Sequence, residues 1–314
     1  KLKRDDAVVV PALAWSTDLS PVMQLGLKPI LCDINLEDLS VDLEYLENIF
    51  IENKPKTFIL TSVLGLVPEM DKIVSLCKKY SVVLLEDTCE SMGSKFRDKK
   101  LGTFGEMSSF STYFGHHIST IEGGFVSTDS KEVYDVLVAV RSHGWDRDLD
   151  KIKQKQLRKE WDVDEFNSLY TFYFSGLNVR STDLQAYIGI RQIDKLDNIC
   201  RIRNQNFLLY DELIKNDYWK VPMDAKNCIS NFAYPIIHPN REKIVKELID
   251  NNVEVRPLIC GSMGRQPFYV KEFGEKILTN SSIVDNYGFY IPNHPLLKKK
   301  DIEKISKIIN ENTK

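Results

Sequence analysis

Short apolar runs alternate with helical patterns through the first quarter of the chain. The runs are rich in Val, Ile and Leu, which is typical of strands covered on both faces: "AVVV", "PILCDI", "TFILTSVLG" and "VVLLED". Before the last of them, Met70, Ile73, Val74 and Cys77 recur at the spacing of one helix face. This alternation predicts a mostly parallel sheet flanked by helices, with ligands gathered at the carboxyl ends of the strands.

The pattern changes after residue 130. "KEVYDVLVAVRSHGW" predicts a helix, and no clear periodicity follows it up to Ser175. A long helical segment then extends over residues 181–216, with Ser181 as its expected N-cap. The remaining segments indicate a smaller α+β part: "FAYPII", "REKIVKELIDN", "VEVRPL" and "KDIEKISKIINEN". We therefore predict a large α/β domain over residues 1–200 and a small C-terminal α+β domain over residues 201–314.

The composition is that of an ordinary globular protein of 314 residues with a net charge of −3. This charge balance does not favour nucleic acid or an anionic membrane as a partner, and no apolar run is long enough to cross a bilayer. The six cysteines are scattered, without a CxxC pair or another metal-ligand spacing. We expect reduced cysteines, a cytoplasmic location and no metal site.

Five segments occur in an order known from one enzyme family. They are "VVVPALAWST", "LGLVPEMDKI", "LLEDTCESMGS", "SSFSTYFGHHISTIEGG" and "LNVRSTDLQAYIGIRQIDKL". Together they resemble the DegT/DnrJ/EryC1/StrS family of pyridoxal-phosphate-dependent sugar aminotransferases. The resemblance spans nearly the whole chain and implies the fold-type I aminotransferase architecture. It also implies an N-terminal helix and a phosphate-binding loop ahead of the "VPA" strand, and the sequence starts almost at that strand.

The fourth segment departs from the aminotransferase pattern at one decisive position. Where the family carries the lysine that forms a Schiff base with the cofactor, this chain has His116, which cannot form that bond. The substitution is similar to that of the family's dehydratase branch, the nucleotide-linked 4-keto-6-deoxysugar 3-dehydratases. "VEVRPLICGSMGRQPFY" resembles a motif of the same branch, although Ser262 replaces the usual Asn. That exchange leaves the sugar and the nucleotide open.

The resemblance implies a role for each candidate residue. Asp87 would pair with the pyridine nitrogen, and His116 would be the catalytic base. The other expected cofactor contacts are Trp15 against the ring face, Glu90 near the ring oxygen, Ser111 at the phosphate, and Asn178 reaching the phosphate of a partner subunit. The expected substrate-binding residues are His117, Arg256 and Arg265.

Each role has a simpler alternative that the residues leave open. Asp87 could cap a helix, Trp15 could lie in the core, Ser111 could be a polar strand residue, and Glu90 could be a surface acid. The histidine doublet could be structural, with one ring buried and one exposed, because adjacent strand residues point to opposite faces. That opposed geometry also disfavours a chelating metal pair.

The leading hypothesis is a dehydratase that uses pyridoxal 5'-phosphate and pyridoxamine 5'-phosphate to remove the C3 hydroxyl of a nucleotide sugar. L-Glutamate would be the amino donor, and a homodimer is implied by the expected role of Asn178. A nucleotide-sugar aminotransferase and a cofactor-free homologue acting as a binding subunit are the alternatives. One dehydratase subgroup holds an iron–sulfur cluster with cysteines before the "LQA" helix; residues 90–199 contain no cysteine, so we predict none here.

Overall fold

The computed structural model describes residues 2–222, 224 and 226–313. The strands are β1 Ala7–Pro11, β2 Lys28–Cys32, β3 Thr57–Thr61, β4 Val83–Asp87, β5 Lys95–Phe96, β6 Lys99–Lys100, β7 Met107–Ser111, β8 Gly124–Ser127, β9 Ala233–Ile237, β10 Arg256–Pro257 and β11 Gly288–Pro292. The helices are α1 Ser16–Gln24, α2 Leu43–Asn53, α3 Met70–Tyr80, α4 Lys131–Val140, α5 Lys151–Glu160, α6 Asp183–Ile193, α7 Leu196–Leu213, α8 Arg241–Asp250, α9 Pro267–Phe273, α10 Thr279–Tyr287 and α11 Lys299–Asn312.

The large sheet has the strand order β2-β1-β3-β4-β7-β8. All neighbours are parallel except β8, which runs antiparallel to β7. The predicted mostly parallel α/β sheet is therefore confirmed. Because β3, β4 and β7 are parallel, their carboxyl ends meet at one edge, where Thr61, Asp87 and Ser109 are register partners.

The apolar patterns of the first half correspond to the observed elements. The predicted strand "AVVV" lies within β1, and its three valines are almost completely buried. In α3, Met70, Ile73 and Cys77 form the buried face that the spacing predicted. The strands read as near-continuous apolar runs because helices cover both faces of a parallel sheet.

The small antiparallel sheet has the order β10-β11-β9. Its core includes Phe207 and Tyr210 from α7, so this helix packs on the small sheet although it begins close to the predicted domain boundary. Leu13 and Leu64 from the other part of the chain join the same cluster. The domain limits at residues 200 and 201 stay a prediction.

The structure corrects three expectations about local elements. The N-cap of α6 is Thr182 rather than Ser181, because Thr182 and Gln185 form a reciprocal capping box. The long helix predicted for residues 181–216 is two helices, which are separated at Asp194 and Lys195. Helix α6 buries none of its residues, whereas α7 has a buried face. The aperiodic stretch contains α5, capped by Asp150, whose buried face is only Gln154 and Leu157.

The connection between β7 and β8 carries the histidine doublet, and two threonines close it. The hydroxyl of Thr112 lies 2.6 Å from that of Thr120, and the amide of Thr112 donates to the carbonyl of Gly123. A Cβ at Gly123 would lie 2.6 Å from the Thr120 hydroxyl and 2.8 Å from that of Thr112. Gly123, the first glycine of "IEGG", therefore leaves space for this pair of hydroxyl groups.

We predict that Gly123→Ala destabilises the protein by about 1–3 kcal/mol, the usual cost of overpacking a buried site. The control is Gly274→Ala, at a glycine that also has a positive φ but has open space around the position of a Cβ. Urea unfolding of both variants measures the difference. Equal losses of stability in the two variants would contradict the role given to the threonine pair.

Candidate active site

Asp87 occupies the carboxyl end of β4, between β3 and β7. Its Oδ1 accepts hydrogen bonds from the amide of Cys89 at 3.0 Å and from the hydroxyl of Ser109 at 2.8 Å. None of the ion pairs formed by the described residues includes Asp87. An oriented carboxylate without a cationic side chain suits a protonated pyridine nitrogen, which is a cation that can also donate a hydrogen bond. The expected cofactor fits this position.

A second carboxyl group, that of Asp18, lies beside Asp87. Asp18 is buried near the start of α1, where its Oδ2 accepts from the hydroxyl of Thr61 at 2.9 Å and from the amide of Trp15 at 3.2 Å. Burial and then the negative charge of Asp87 raise the pKa of Asp18 well above its ordinary value. Asp18 therefore holds its proton more strongly than an ordinary aspartate does.

No motif in the sequence identified Asp18, because an aspartate in the first turn of a helix is common and does not by itself indicate a functional site. Trp15, which the sequence did identify, precedes α1 and has an exposed ring, 53% of its surface being accessible. An exposed indole fits a stacking surface for a planar ring better than it fits the core alternative. The hydrogen bond that the backbone amide of Trp15 donates to the carboxyl group of Asp18 places this residue near the carboxyl pair.

Glu90 follows Asp87 on the loop after β4, and its Oε2 accepts a hydrogen bond of 2.7 Å from the amide of Leu64. Burial raises the pKa of Glu90 to about 8, and the nearby charge of Asp87 acts in the same direction. The side chain is therefore protonated at neutral pH and can donate a hydrogen bond, as a glutamine would. A protonated Glu90 suits the expected contact with the ring oxygen of the cofactor, and the raised pKa disfavours the surface-acid alternative.

His116 lies on the β7–β8 connection with aromatic rings on two sides. The ring centroid of Phe232 is 5.2 Å away and that of Tyr113 is 5.8 Å away. The Nδ1 atom is buried and has no hydrogen-bond partner among the described residues. Burial lowers the pKa of His116, although the negative charge of Asp87 opposes this shift. The imidazole is therefore neutral at neutral pH and able to accept a proton.

His117 is turned away from the site and is almost completely buried. Its Nε2 donates to the carbonyl of Ser230 at 3.1 Å, and burial together with the charge of Arg203 lowers its pKa to about 3. The ring packs the doublet against the segment that leads into β9. This position offers no support for the expected substrate contact, which stays a prediction.

Ser111 and Asn178 are the remaining residues predicted to bind the cofactor. Ser111 ends β7, and its hydroxyl accepts from the amide of Tyr113 at 3.1 Å. Asn178 is exposed and pairs only with Ser142 through a short bridge, so one chain does not bring it to Asp87. This arrangement is compatible with the expected role of Asn178 in a partner subunit.

The two arginines of the small domain differ in their surroundings. Arg256 is exposed in β10, opposite Tyr290 of β11, and forms an ion pair with Glu254. Burial and then the charge of Glu90 raise the pKa of Tyr290, and the charge of Arg256 lowers it, so both charged groups act on this phenol. Arg265 is ion-paired with both Glu275 and Asp285. Arg256 is therefore connected to the site, whereas Arg265 is held by carboxylates of its own domain.

The chain is similar to known proteins. The profile of the DegT/DnrJ/EryC1/StrS aminotransferase family matches residues 1–310. The chain belongs to this family. GDP-4-keto-6-deoxy-D-mannose 3-dehydratase of Yersinia pseudotuberculosis is 32% identical over 319 residues, covering 99% of this chain and 80% of that protein.

Two similar solved structures add chemical detail. GDP-4-keto-6-deoxymannose-3-dehydratase with a trapped PLP-glutamate geminal diamine is 30% identical, with a TM-score of 0.87 over 98% of this chain and 81% of that one. A histidine-to-asparagine mutant of the same enzyme with bound GDP-perosamine is 29% identical, with a TM-score of 0.87 over the same shares of 98% and 81%. The fold-type I architecture expected from the sequence is confirmed.

The described residues contain no cluster of three or more His, Cys, Asp or Glu side chains arranged for a metal ion. Each helix within residues 2–222, 224 and 226–313 is too short or too polar to cross a bilayer.

We predict that Glu90→Gln stabilises the unliganded protein at pH 8 by about 1 kcal/mol or more, with little effect at pH 5. The pKa of Glu90 is about 8 in the folded protein and near 4.5 otherwise, so only the folded state keeps the proton between these values. Stability therefore falls as the pH rises through this window, and Gln removes that loss. Urea unfolding at several pH values measures it.

The matched control is Glu160→Gln, at the exposed last residue of α5. The same pH slope in the wild type and in Glu90→Gln would show that Glu90 is ionised in the folded protein.

Proposed function

We propose that this protein is a pyridoxal 5'-phosphate and pyridoxamine 5'-phosphate-dependent 3-dehydratase of a nucleotide-linked 4-keto-6-deoxysugar. The observation that carries the proposal is a neutral, proton-accepting His116 beside Asp87, at the position where the family's aminotransferases have the Schiff-base lysine. The related dehydratases, of which this chain covers 80–81% and whose solved structures have TM-scores of 0.87, support the same reaction class. Their GDP-linked ligands favour a GDP-sugar as the substrate.

When bound, the cofactor would supply an amine for the C4 carbonyl of the sugar and a ring that can take up electrons. Asp87 holds the proton on the pyridine nitrogen, which keeps the ring electron-poor. The indole of Trp15 covers a ring face, and the protonated carboxyl of Glu90 donates to the ring oxygen. Ser111 holds the phosphate, and its place at the end of β7 agrees with the usual position of anion sites at strand ends.

His116 moves protons at two places. As a neutral imidazole it takes a proton from the aminomethyl carbon of the cofactor, and it returns a proton to the C3 oxygen as this leaves as water. The sugar loses one oxygen and is reduced at C3. Glutamate supplies the two electrons and the amino group, and it departs as the 2-oxo acid while ammonia is released. Glutamate as the donor is supported by the glutamate adduct of the related dehydratase.

The nucleotide diphosphate requires cations, and Arg256 is our candidate on the small domain because it pairs with Tyr290, on which the charge of Glu90 also acts. Arg265 would first have to leave Glu275 and Asp285. The aminotransferase alternative lacks its lysine at residue 116. The binding-subunit alternative does not explain why Asp87, Glu90 and His116 are held together with complementary protonation states.

We also propose a homodimer and a cytoplasmic location. Helix α6 buries none of its residues, and its large apolar side chains are exposed by 52–66%: Leu184, Tyr187, Ile190 and Ile193. Leu177 and Val179, next to Asn178, are exposed by 60% and 63%. A second copy covering this face would bury it and bring Asn178 toward the neighbouring site. The six cysteines are unpaired, as is usual in the cytoplasm.

We expect His116→Asn to lower the rate of 3-deoxysugar formation by about a hundred- to ten-thousandfold, the usual contribution of a general acid–base group. His116→Lys should instead bind pyridoxal phosphate covalently, because an amine then reaches the aldehyde. Borohydride reduction followed by mass spectrometry should find a cofactor adduct on residue 116 of this variant and none on the wild type. An adduct on a wild-type lysine, or full dehydration by His116→Asn, would contradict the proposal.

The dimer is tested with Ile190→Glu, which places a charge in the exposed apolar face of α6. Sedimentation should give a monomer, and cofactor binding should weaken because Asn178 no longer reaches the partner. The control is Ile51→Glu, at an isoleucine of α2 with 52% exposure, against 64% for Ile190. A fully active wild-type monomer would refute the proposal.

A further inference from the structure

A buried arginine lies behind the histidine doublet. Arg203 of α7 is 3% exposed, and its guanidinium contacts three backbone carbonyls. Nη2 donates to the carbonyl of His116 at 3.2 Å, and Nη1 donates to the carbonyl of Asn231 at 3.3 Å and to that of Asn293. The Nε atom is buried without a partner among the described residues. Arg203 thus ties the connection that carries His116 to two segments of the small domain.

The charge of Arg203 has no counter-ion, since none of the ion pairs of the described residues includes it. Burial lowers its pKa to about 10, so it still carries a positive charge at neutral pH. A buried charge without a counter-ion is costly, and packing alone would be served as well by an apolar side chain. The contact of the Arg203 guanidinium with the backbone of His116 therefore suggests a functional reason for this buried charge.

The surroundings of His116 contain one fixed charge of each sign. Asp87 at the end of β4 raises the pKa of His116, and Arg203 on α7 lowers it. The other groups around the ring are Tyr113 and Phe232, which are uncharged, and His117, whose ring faces Ser230 and is neutral. Burial is the main influence that opposes the effect of Asp87 on His116, and Arg203 is the charged group that acts in the same direction as burial.

We propose that Arg203 is a positioning residue for His116. Its guanidinium fixes the backbone carbonyl of His116 and holds a positive charge near the imidazole. The proposal rests on the function assigned to His116 above. Asp87 serves the cofactor with its negative charge, and Arg203 together with burial offsets the effect of that charge on the base.

The test compares two variants. Arg203→Gln removes the positive charge, whereas Arg203→Lys keeps the charge but loses the planar arrangement of hydrogen-bond donors of the guanidinium. NMR titration of histidine-labelled protein without cofactor reports on His116, whose signal is identified by its loss in His116→Asn. Arg203→Gln should raise the titration midpoint of His116 by about one pH unit. The acid limb of the pH profile of kcat should move upward by the same amount. At pH values below the His116 midpoints of both the wild type and the variant, this lowers kcat about tenfold.

Arg203→Lys should leave the midpoint of His116 unchanged and lower kcat with little change in KM, because the carbonyl of His116 is held less firmly. This variant keeps the proposal falsifiable if Arg203→Gln does not fold. The control is Arg201→Gln, an exposed arginine of the same helix that bonds only Asn198 and Gln205. It should behave as the wild type.

An unchanged midpoint in Arg203→Gln, or an upward shift in Arg203→Lys, would overturn the electrostatic role. Wild-type kcat in Arg203→Lys would overturn the positioning role. The proposed function fails separately, if His116→Asn keeps full dehydration while the midpoint still responds to Arg203→Gln.

Discussion

The negative charge of Asp87 is the constraint on which the site depends. It stands at the end of a central strand, where parallel neighbours bring Thr61 and Ser109 level with it. Water has limited access there, so each ionisable group nearby must adjust its protonation to this one charge. Burial and the charge of Asp87 both raise the pKa values of Asp18 and Glu90, because a second or third carboxylate in the same region would be poorly solvated and would repel the first.

The opposite effect on His116 explains why the site extends into the small domain. A carboxylate stabilises the protonated form of a nearby imidazole, which cannot act as a base. Burial between Tyr113 and Phe232 and the charge of Arg203 act against this. Phe232 and Arg203 both belong to the packing of α7 and the segment before β9, so the position of the small domain bears directly on the reactivity of His116.

The apolar face of α6 shows a different kind of dependence. An eleven-residue helix that buries none of its residues completely gains little stability from packing within its own chain. Its neighbours Leu177 and Val179 flank Asn178, whose expected function requires a second chain. Association and completion of the site are thus coupled in the proposed dimer, since the same segment serves both.

The sequence by itself predicted strands β1 to β4, β9 and β10, the family and the exchange of lysine for His116, but not β11, the central strand of the small sheet. These depend on local patterns: apolar runs, helical spacing and motifs whose residues are close in the chain. It missed α5, because only two residues of that helix are buried, and it misplaced the cap of α6 by one residue, because Ser181 and Thr182 are chemically equivalent.

Only the tertiary structure decided the protonation states. Thr61 and Asp18 are 43 positions apart, and Arg203 and His116 are 87 apart, so no local pattern reveals their contact. The direction in which the two histidines point was also open, and the packing of His117 on Ser230 settles it for that ring. The pKa of a side chain depends on burial and on charges across space, and both exist only once distant segments have packed together.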